Sequence, residues 1–323
     1  MHIQNLHIQN FKSIKDLEVT GFKRINLLIG RPNVGKSNIL EALSMFSIPY
    51  LKYSGKKLID LVRMENPPTL FFDGNIKNHI KIEVDQYFCE LTYERFAGLT
   101  INLANKITNK TKSLVFTKQN GLKNIQTAPE TNIKRYIFSD VNFKEVKIPF
   151  LNPPFGNNLM GVLETLPELT HEITQLFENY ALKLMFDQSN HTLRIVRQKG
   201  ESFFSLPYHS IADTLQRVIF FKTAIASNEN SVLLFEEPEA HAFPPYITDI
   251  TYEIIESKSN QFFIATHSPY ILNDFLENAR EELAIFMVDY RDGQTVAKAL
   301  SEHDISEVYK YGLDVFFNYE SFL

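Results

Sequence analysis

The alternation of apolar and polar residues predicts a β-rich N-terminal part. Apolar positions alternate over Ile3–Phe11 and again over Leu17–Val19, which predicts two strands around a turn at residues 12–15. A short apolar run, made by Ile25 and residues 27–29, predicts a buried strand, and apolar residues at helical spacing over 39–43 predict a helix behind it. Later alternation predicts an antiparallel meander, with strands at residues 80–84, 87–93, 99–103 and 113–117.

The second half of the chain shows longer periods and two further apolar runs. Residues 118–158 are rich in Asn, Thr, Lys and Pro without a sustained period, so we expect an irregular loop there. Buried strands are predicted where apolar runs lack alternation. The remaining predictions are a helix over Gly161–Met185, a hairpin of residues 182–186 and 192–196, a strand at 232–235, a helix at 247–256 and a strand at 261–266.

Length and composition favour one α/β domain with insertions over two domains. The 323 residues are interpreted as a single domain with an antiparallel β lobe at 75–120 and an irregular or helical insertion at 118–200. The net charge of −5 gives no overall attraction to nucleic acid. One local stretch is basic and is interpreted as a solvated sheet edge, with a nucleic-acid or acidic-partner contact as the alternative; its residues are Lys106, Lys110, Lys112, Lys118, Lys123, Lys134 and Arg135.

Cysteine usage and hydropathy predict a cytoplasmic protein that does not enter a membrane. Cys89 is the only cysteine, which excludes an intrachain disulfide and a cysteine-rich metal site. The N-terminus has no signal-sequence pattern, and no apolar run approaches the roughly 18 residues of a membrane span.

One motif carries specific chemistry. Residues 30–37, GRPNVGKS, match G-x-x-x-x-G-K-[ST] between a predicted strand and a predicted helix. Gly30 and Gly35 would let backbone N–H groups turn towards phosphate, and the helix N-terminus would point at the same anion. Lys36 would supply a charge for the β- and γ-phosphates, and Ser37 a hydroxyl for Mg²⁺.

Two strand ends provide further candidate groups. The run at 232–235 leads into Glu236 and Glu237, and carboxyl ends of parallel strands meet beside the phosphate-binding loop in doubly wound sheets. One carboxylate can hold the Mg²⁺ shell, and the next can take a proton from an attacking water. His267 follows the strand at 261–266, where it is placed to contact a γ-phosphate or that water.

Together these segments resemble the ABC-type ATPases of the SMC/RecF group, and among them the ATPase parts of OLD-family (overcoming lysogenization defect) proteins and AAA-type ATPases of anti-phage systems. The resemblance is carried by residues 8–14 (IQNFKSI), the P-loop with residues 37–43 (SNILEAL), residues 237–241 (EPEAH) and residues 266–269 (THSP). It implies an ABC-type ATPase head with a mixed central sheet, using ATP and Mg²⁺. The residues implied to hold the nucleotide are Gly30, Asn33, Val34, Gly35, Lys36, Ser37 and Asn38.

The same resemblance implies roles for the other positions. Ser37 and Glu236 would serve the metal, Glu237 would be the general base and His267 the switch histidine. Such ATPases pair head to tail, and residues 210–217 are the candidate signature segment, with Ser210 or Asp213 capping its helix and facing the partner's phosphate. We expect a homodimer or higher homo-oligomer that acts as a switch. The effector is expected to be a separate protein, because the Toprim nuclease of OLD proteins does not follow the ATPase motifs here. Roles in anti-phage defence and contact with DNA or RNA are suggested by the family alone.

Three departures leave alternatives open. The signature segment lacks paired glycines, Glu236 replaces the usual aspartate, and no glutamine lies between Ser37 and Gln86 to serve a Q-loop. A nucleotide-stabilised scaffold with negligible turnover is therefore one alternative. A GTPase is another, since the P-loop reads G-x-P-N-V-G-K-S, but the nearest approach to N-K-x-D is residues 105–108, where Thr108 stands in place of the aspartate.

Overall fold

The computed structural model describes residues 2–108, 110–117, 121–125, 128–178 and 180–323 of the chain. Short 3-10 helices aside, these residues form strands and α-helices in a mixed order. The strands are β1 Asn5–Phe11, β2 Ile14–Thr20, β3 Ile25–Ile29, β4 Ile80–Val84, β5 Tyr87–Glu94, β6 Gly98–Asn105, β7 Lys110–Thr117, β8 Gly121–Lys123, β9 Ile133–Tyr136, β10 Lys183–Asp187, β11 Thr192–Lys199, β12 Ser202–Pro207, β13 Val232–Glu236, β14 Gln261–Ala265, β15 Leu283–Arg291 and β16 Gln294–Ala299. The helices are α1 Lys36–Ser44, α2 Leu51–Ser54, α3 Leu159–Thr165, α4 Pro167–Glu178, α5 Asp213–Ala226, α6 Pro244–Glu256, α7 Pro269–Asn278 and α8 Glu302–Tyr311.

A mixed six-stranded sheet forms the centre of the fold. Its strand order is β16-β15-β3-β14-β13-β9, and all neighbours are parallel except β15 and β16. Every residue of β3 and β14 is buried, as expected for parallel strands that are covered on both faces. The mixed central sheet confirms the prediction, and it brings the carboxyl ends of β3, β13 and β14 to one edge.

An antiparallel seven-stranded sheet covers one face. Its order is β2-β1-β4-β5-β6-β7-β8, so the predicted N-terminal hairpin and the predicted meander belong to one sheet. Helix α1 contacts both sheets, and its apolar residues Ile39, Leu40 and Leu43 share one core with them. On the other face, α5, α6 and α7 pack against the side chains of β3 and β14 that point away from α1.

Three local predictions are wrong or incomplete. The single helix predicted over Gly161–Met185 is two helices, α3 and α4, because Pro167 disfavours helical geometry at Leu166 before it. The stretch predicted to be irregular contains β9, which pairs with β13. The predicted hairpin is present as β10 and β11, and β12 extends it to three strands.

Two residues assigned to a solvated basic edge are in fact buried. Lys134 and Arg135 of β9 are only 6% and 3% exposed. Lys134 donates to Asn228 and Ser231 and lies 3.7 Å from the centre of the Phe150 ring. Lys118 and the side chain of Lys110 lie outside the described part of the chain; Lys106 and Lys123 are exposed as predicted, and Lys112 is half-buried. Among the described residues, none of the helices combines the length and the apolar character needed to cross a membrane.

Candidate functional site

A cleft of about 680 Å³ opens at the carboxyl edge of the central sheet. It gathers residues from the loop after β3, from the ends of β13 and β14, and from α1 and α5. The predicted site residues that line it are Asn33, Gly35, Lys36, Ser37, Asn38, Glu236, Glu237 and His267. Gly30 and Val34 support the loop from below, where both are buried.

The two motif glycines are required by close backbone packing. A Cβ on Gly30 would lie 2.1 Å from the Val288 carbonyl oxygen of β15. Gly35 has a φ of 105°, and a Cβ there would lie 2.0 Å from the Thr295 hydroxyl. The loop is therefore held tightly against β15 and β16.

Lys36 lies under the loop with its ammonium group pointing at loop carbonyls. Its Nζ donates to the carbonyl oxygens of Gly30, at 2.7 Å, and Arg31, at 2.9 Å. Burial lowers the pKa of Lys36 to about 8, although the nearby carboxylates of Glu237 and Glu236 favour its charged form. The side chain is a buried cation at the position where the motif binds phosphate.

Side-chain hydrogen bonds of Thr295, Ser13 and Asn38 stabilise the loop on the side away from the cleft. The Thr295 hydroxyl donates to the Val34 carbonyl oxygen at 2.8 Å and lies 2.6 Å from the Ser13 hydroxyl. Asn38 donates to the same Ser13 oxygen at 2.6 Å. The loop is thereby tied to the β1–β2 turn and to β16, which belong to different sheets.

Glu236, at the end of β13, is bound by two guanidinium groups. One carboxylate oxygen accepts a hydrogen bond from Arg135, and the other accepts one from Arg63 at 3.2 Å. Burial opposes the charge of Glu236, but Arg135, the Ser37 hydroxyl and Arg63 outweigh it and hold the pKa of Glu236 below its usual value. Glu236 is ionised and partly buried next to Ser37.

The same arginines belong to a buried charge network below the cleft. Glu41 of α1 is fully buried; it accepts a hydrogen bond from Arg63 at 2.7 Å and one from Lys12. Arg135 lies 3.9 Å from the same carboxylate. The network thus joins the P-loop helix to Glu236 through charges of opposite sign.

Glu237 and His267 face each other across the strand ends. The Glu237 carboxylate lies 3.6 Å from His267 Nε2. Glu237 has a φ of 44°, a left-handed conformation for a residue with a Cβ, and its N–H donates to the Ala265 carbonyl at 2.8 Å. Burial and, next, the charge of Lys36 lower the pKa of His267, so the imidazole is neutral at pH 7.

The candidate signature segment borders the cleft only through its last residue, Arg217. Ser210 and Asp213 are exposed and do not line the cleft. The predicted side-chain cap is wrong: Ala212 is the N-cap of α5, and no side chain accepts a hydrogen bond there. Asp213 instead accepts a hydrogen bond from Arg217 at 2.7 Å, and Arg217 does line the cleft.

Sequence reasoning missed several charged and polar residues at the site. Arg63 lies in a polar stretch without period, and Thr295 lies beyond the last motif. A signal existed for Arg217, which is four residues after Asp213 and so shares its helix face. Glu239 lies within the EPEAH segment at residues 237–241, but nothing in the local sequence indicates its role.

The donor set of the cleft suits Mg²⁺ held mainly by a nucleotide. Among the described residues, no group of three or more His, Cys, Asp or Glu side chains could hold a metal ion alone. Ser37 and Glu236 instead supply a hydroxyl and a carboxylate beside the phosphate loop. Mg²⁺ typically uses one or two such protein oxygens together with substrate phosphates, so these residues fit the ion.

Comparison with known families assigns most of the chain to ATPase domains. The family described as "AAA ATPase domain" matches residues 1–188. A second family, described as "AAA domain, putative AbiEii toxin, Type IV TA system", matches residues 138–273.

Individual relatives match over short stretches only. An "ATP/GTP phosphatase" of Helicobacter pylori is 49% identical over 41 residues, which is 13% of this chain and 11% of that protein. The uncharacterized protein MJECL10 of Methanocaldococcus jannaschii is 43% identical over 44 residues, 14% of this chain and 20% of that protein. The matched part is thus a fifth or less of each curated relative.

Solved structures match over nearly the whole chain. An Smc head domain with an extended coiled coil, bound to the C-terminal domain of ScpA and derived from Pyrococcus furiosus, aligns with a TM-score of 0.55 at 13% identity and covers 96% of this chain and 99% of that one. A second Smc head, bound to the C-winged helix domain of ScpA, aligns with a TM-score of 0.53 at 14% identity over 93% and 98% of the two chains. At this identity the likeness concerns the fold, which is that of a P-loop ATPase head of the ABC type.

Proposed function

This chain belongs to the AAA ATPase domain family, and from that premise we propose that it hydrolyses ATP as a nucleotide-driven dimerisation switch. The observation that supports it most is the meeting of five side chains in one cleft: Lys36, Ser37, Glu236, Glu237 and His267. Phosphoryl transfer to water needs a cation for the phosphates, a base for the water and groups that position both.

In this proposal each group has one role. Lys36 leaves the loop carbonyls and pairs with the β- and γ-phosphates, while backbone N–H groups of residues 33–38 surround them. Glu237, which is half exposed beside His267, takes the proton of the attacking water. His267, neutral at pH 7, donates or accepts a hydrogen bond at the γ-phosphate.

Ser37 and Glu236 are the residues we propose for the metal. When bound, Mg²⁺ neutralises charge that develops on the phosphate oxygens. Glu236 would serve as an outer ligand, because both of its oxygens already accept hydrogen bonds from arginines.

A second copy of the chain would complete the site. The cleft opens to solvent, and Ser210 and Asp213 are exposed without lining it, so they are available to a nucleotide that a partner presents. The proposed reader of the switch is a separate protein, by analogy with the Smc heads that are bound to ScpA domains. A role in anti-phage defence and a cytoplasmic location stay predictions.

Glu237→Gln tests this function directly. The change removes the base but keeps the size and hydrogen-bonding reach of the side chain, so the variant should bind ATP and fail to hydrolyse it. We expect it to elute as a dimer with saturating ATP and Mg²⁺, with steady-state phosphate release reduced by at least about 100-fold. Glu229→Gln, which changes a carboxylate far from the cleft residues, is the matched control.

Two outcomes would contradict the proposal. A monomeric Glu237→Gln protein under saturating ATP would remove the dimerisation switch. Equal phosphate release by the wild type and Glu237→Gln would remove Glu237 as the base and favour a nucleotide-stabilised scaffold. The occupation of both Glu236 oxygens by arginines favours that second function, because it leaves the carboxylate less available to a metal.

The choice of nucleotide needs a separate measurement. The Helicobacter pylori relative is described as an "ATP/GTP phosphatase", which concerns both nucleotides. We expect ATP to displace GTP, because the chain lacks the aspartate that reads guanine in N-K-x-D. Equal or tighter GTP binding in a competition assay would support the GTPase alternative.

A further inference from the structure

Glu239 joins the ends of the two strands that carry the proposed base and the switch histidine. It lies three residues after Glu236, in the loop that follows β13. Its Oε1 accepts a hydrogen bond from the Thr266 hydroxyl at 2.5 Å and another from the His267 N–H at 3.1 Å. Both donors lie at the end of β14, so one carboxyl oxygen links two loops of the cleft.

The direction of these hydrogen bonds extends the link to α7. The Thr266 oxygen accepts the N–H of Ser268 at 2.9 Å, so the Thr266 proton is free to point at Glu239. Ser268 is in turn the N-cap of α7 and accepts the N–H of Ile271. A continuous chain of hydrogen bonds therefore runs from the loop after β13 to the first turn of α7.

The environment of Glu239 differs from that of its neighbour Glu236. Its second oxygen, Oε2, is buried and has no hydrogen-bond partner among the described residues, and no cation is paired with the carboxyl group. Burial raises the pKa of Glu239, while the hydrogen bond from Thr266 opposes that rise. Glu236, by contrast, is held charged by two arginines.

We propose that Glu239 is a positioning residue for ATP hydrolysis, which fixes the His267 backbone opposite Glu237. This inference rests on the proposed function. The His267 ring lies 3.6 Å from Glu237, and the N–H of the same histidine is bound by Glu239 at the end of β14. A second tie, from the Glu237 N–H to the Ala265 carbonyl, holds the other side of the pair. Loss of Glu239 would leave the histidine end of the pair unanchored.

The hydrogen bonds of Glu239 do not involve the phosphate-binding loop, so its effect on catalysis can be measured separately from nucleotide binding. None of the loop residues 30–37 hydrogen-bonds to Glu239, so nucleotide binding should not depend on it. We expect Glu239→Ala to lower kcat by about 10- to 100-fold, the usual cost of removing a group that orients a site residue. The KM and the Kd for ATP should stay within about twofold, because only transition-state interactions are lost.

Conservative variants separate positioning from folding. Glu239→Gln keeps the accepting oxygen for Thr266 and His267, so it should restore kcat to within about threefold of the wild type. Thr266→Val removes the hydroxyl that Glu239 binds, and it should lower kcat in the same direction as Glu239→Ala. The double variant should be no slower than the slower single variant, because both changes break the same link.

A matched control is available in Asp274. Its Oδ2 accepts the Thr251 hydroxyl at 2.6 Å between α6 and α7, which is the same kind of carboxylate–threonine bond away from the cleft. We expect both Asp274→Ala and Glu239→Ala to lower the melting temperature, and only Glu239→Ala to lower kcat.

Three results would overturn the inference: wild-type kcat in Glu239→Ala, equal loss of kcat in Asp274→Ala, or additive losses in the Glu239→Ala/Thr266→Val pair. Equal turnover of the wild type and Glu237→Gln would instead overturn the proposed function, so the two failures are distinguishable.

Discussion

The Thr295 hydroxyl donates a hydrogen bond of 2.8 Å to the Val34 carbonyl oxygen, and this bond joins β16 to the phosphate-binding loop. Thr295 is completely buried, and its N–H also donates to the Ser13 carbonyl at 2.8 Å. The peptide that precedes Gly35 is thus held by a residue more than 250 positions later in the chain. The conformation of the loop depends on the central sheet being complete.

Replacing Thr295 by valine should weaken ATP binding about tenfold. Valine keeps the shape but leaves the buried Val34 carbonyl without its donor, which costs about 1–3 kcal/mol, and about 1.4 kcal/mol is a factor of ten. Calorimetric titration with ATP and Mg²⁺ measures the change. Thr223→Val is the control, since the buried Thr223 hydroxyl donates to the Ile219 carbonyl at 2.7 Å inside α5. Unchanged ATP affinity in Thr295→Val would show that the hydrogen bond from Thr295 to the Val34 carbonyl does not determine the conformation of the loop.

ATP binding should weaken at alkaline pH through Lys36. Because burial lowers the pKa of Lys36 to about 8 in the free protein, the ammonium group loses its proton above that pH. Bound phosphates would favour the charged form and raise the pKa of Lys36 in the complex. The Kd for ATP should therefore be flat below about pH 8 and rise by up to about tenfold for each pH unit above it.

The comparison for this pH dependence is Lys36→Met. That variant should bind ATP weakly, and its Kd should show no rise between pH 7 and 9.5 if Lys36 is the titrating group. A rise of the same steepness in both proteins would assign the titration to another residue.

Neutralising Glu41 should destabilise the whole domain. Glu41→Gln removes a fully buried negative charge and leaves Lys12, Arg63 and Arg135 near one remaining carboxylate, Glu236. Removing one partner of a buried ion pair costs about 3–5 kcal/mol. Urea unfolding measures the loss, and Glu41→Gln/Lys12→Met should lose less than the sum of its single changes. A loss below about 1 kcal/mol would mean that the network contributes as little as surface pairs do.

The sequence predicts strands correctly where burial follows a regular pattern, either continuous or alternating. The apolar runs at 25–29, interrupted by Asn26, and at 232–235 form central strands because both of their faces are covered. The prediction that Arg135 is solvated is wrong because it follows the usual behaviour of long basic side chains. This side chain is instead buried and paired with Glu236. The break before Pro167 has a local steric signal, because a proline disfavours helical geometry at the residue before it.

Some residues of the candidate site are predictable from local sequence, and others are not. The loop residues and the carboxylates at the end of β13 follow from local motifs, so their meeting in one cleft was predictable. The bond between Glu239 and Thr266 was not, because it joins residues 27 positions apart and needs β13 and β14 to be neighbours. Sheet order is a tertiary property, and no single segment of the chain encodes it.

The place of β3 in the sheet also sets the smallest unit that can fold. β3 pairs with β14 on one side and with β15 on the other. A truncated protein ending at residue 275 would keep every recognisable ATPase motif and would still lose β15 and β16. Its β3 would then be an edge strand with unpaired N–H and C=O groups, exposed to aggregation with other chains. An autonomous fragment therefore has to include all of β15 and extend at least to residue 291, well past the last motif.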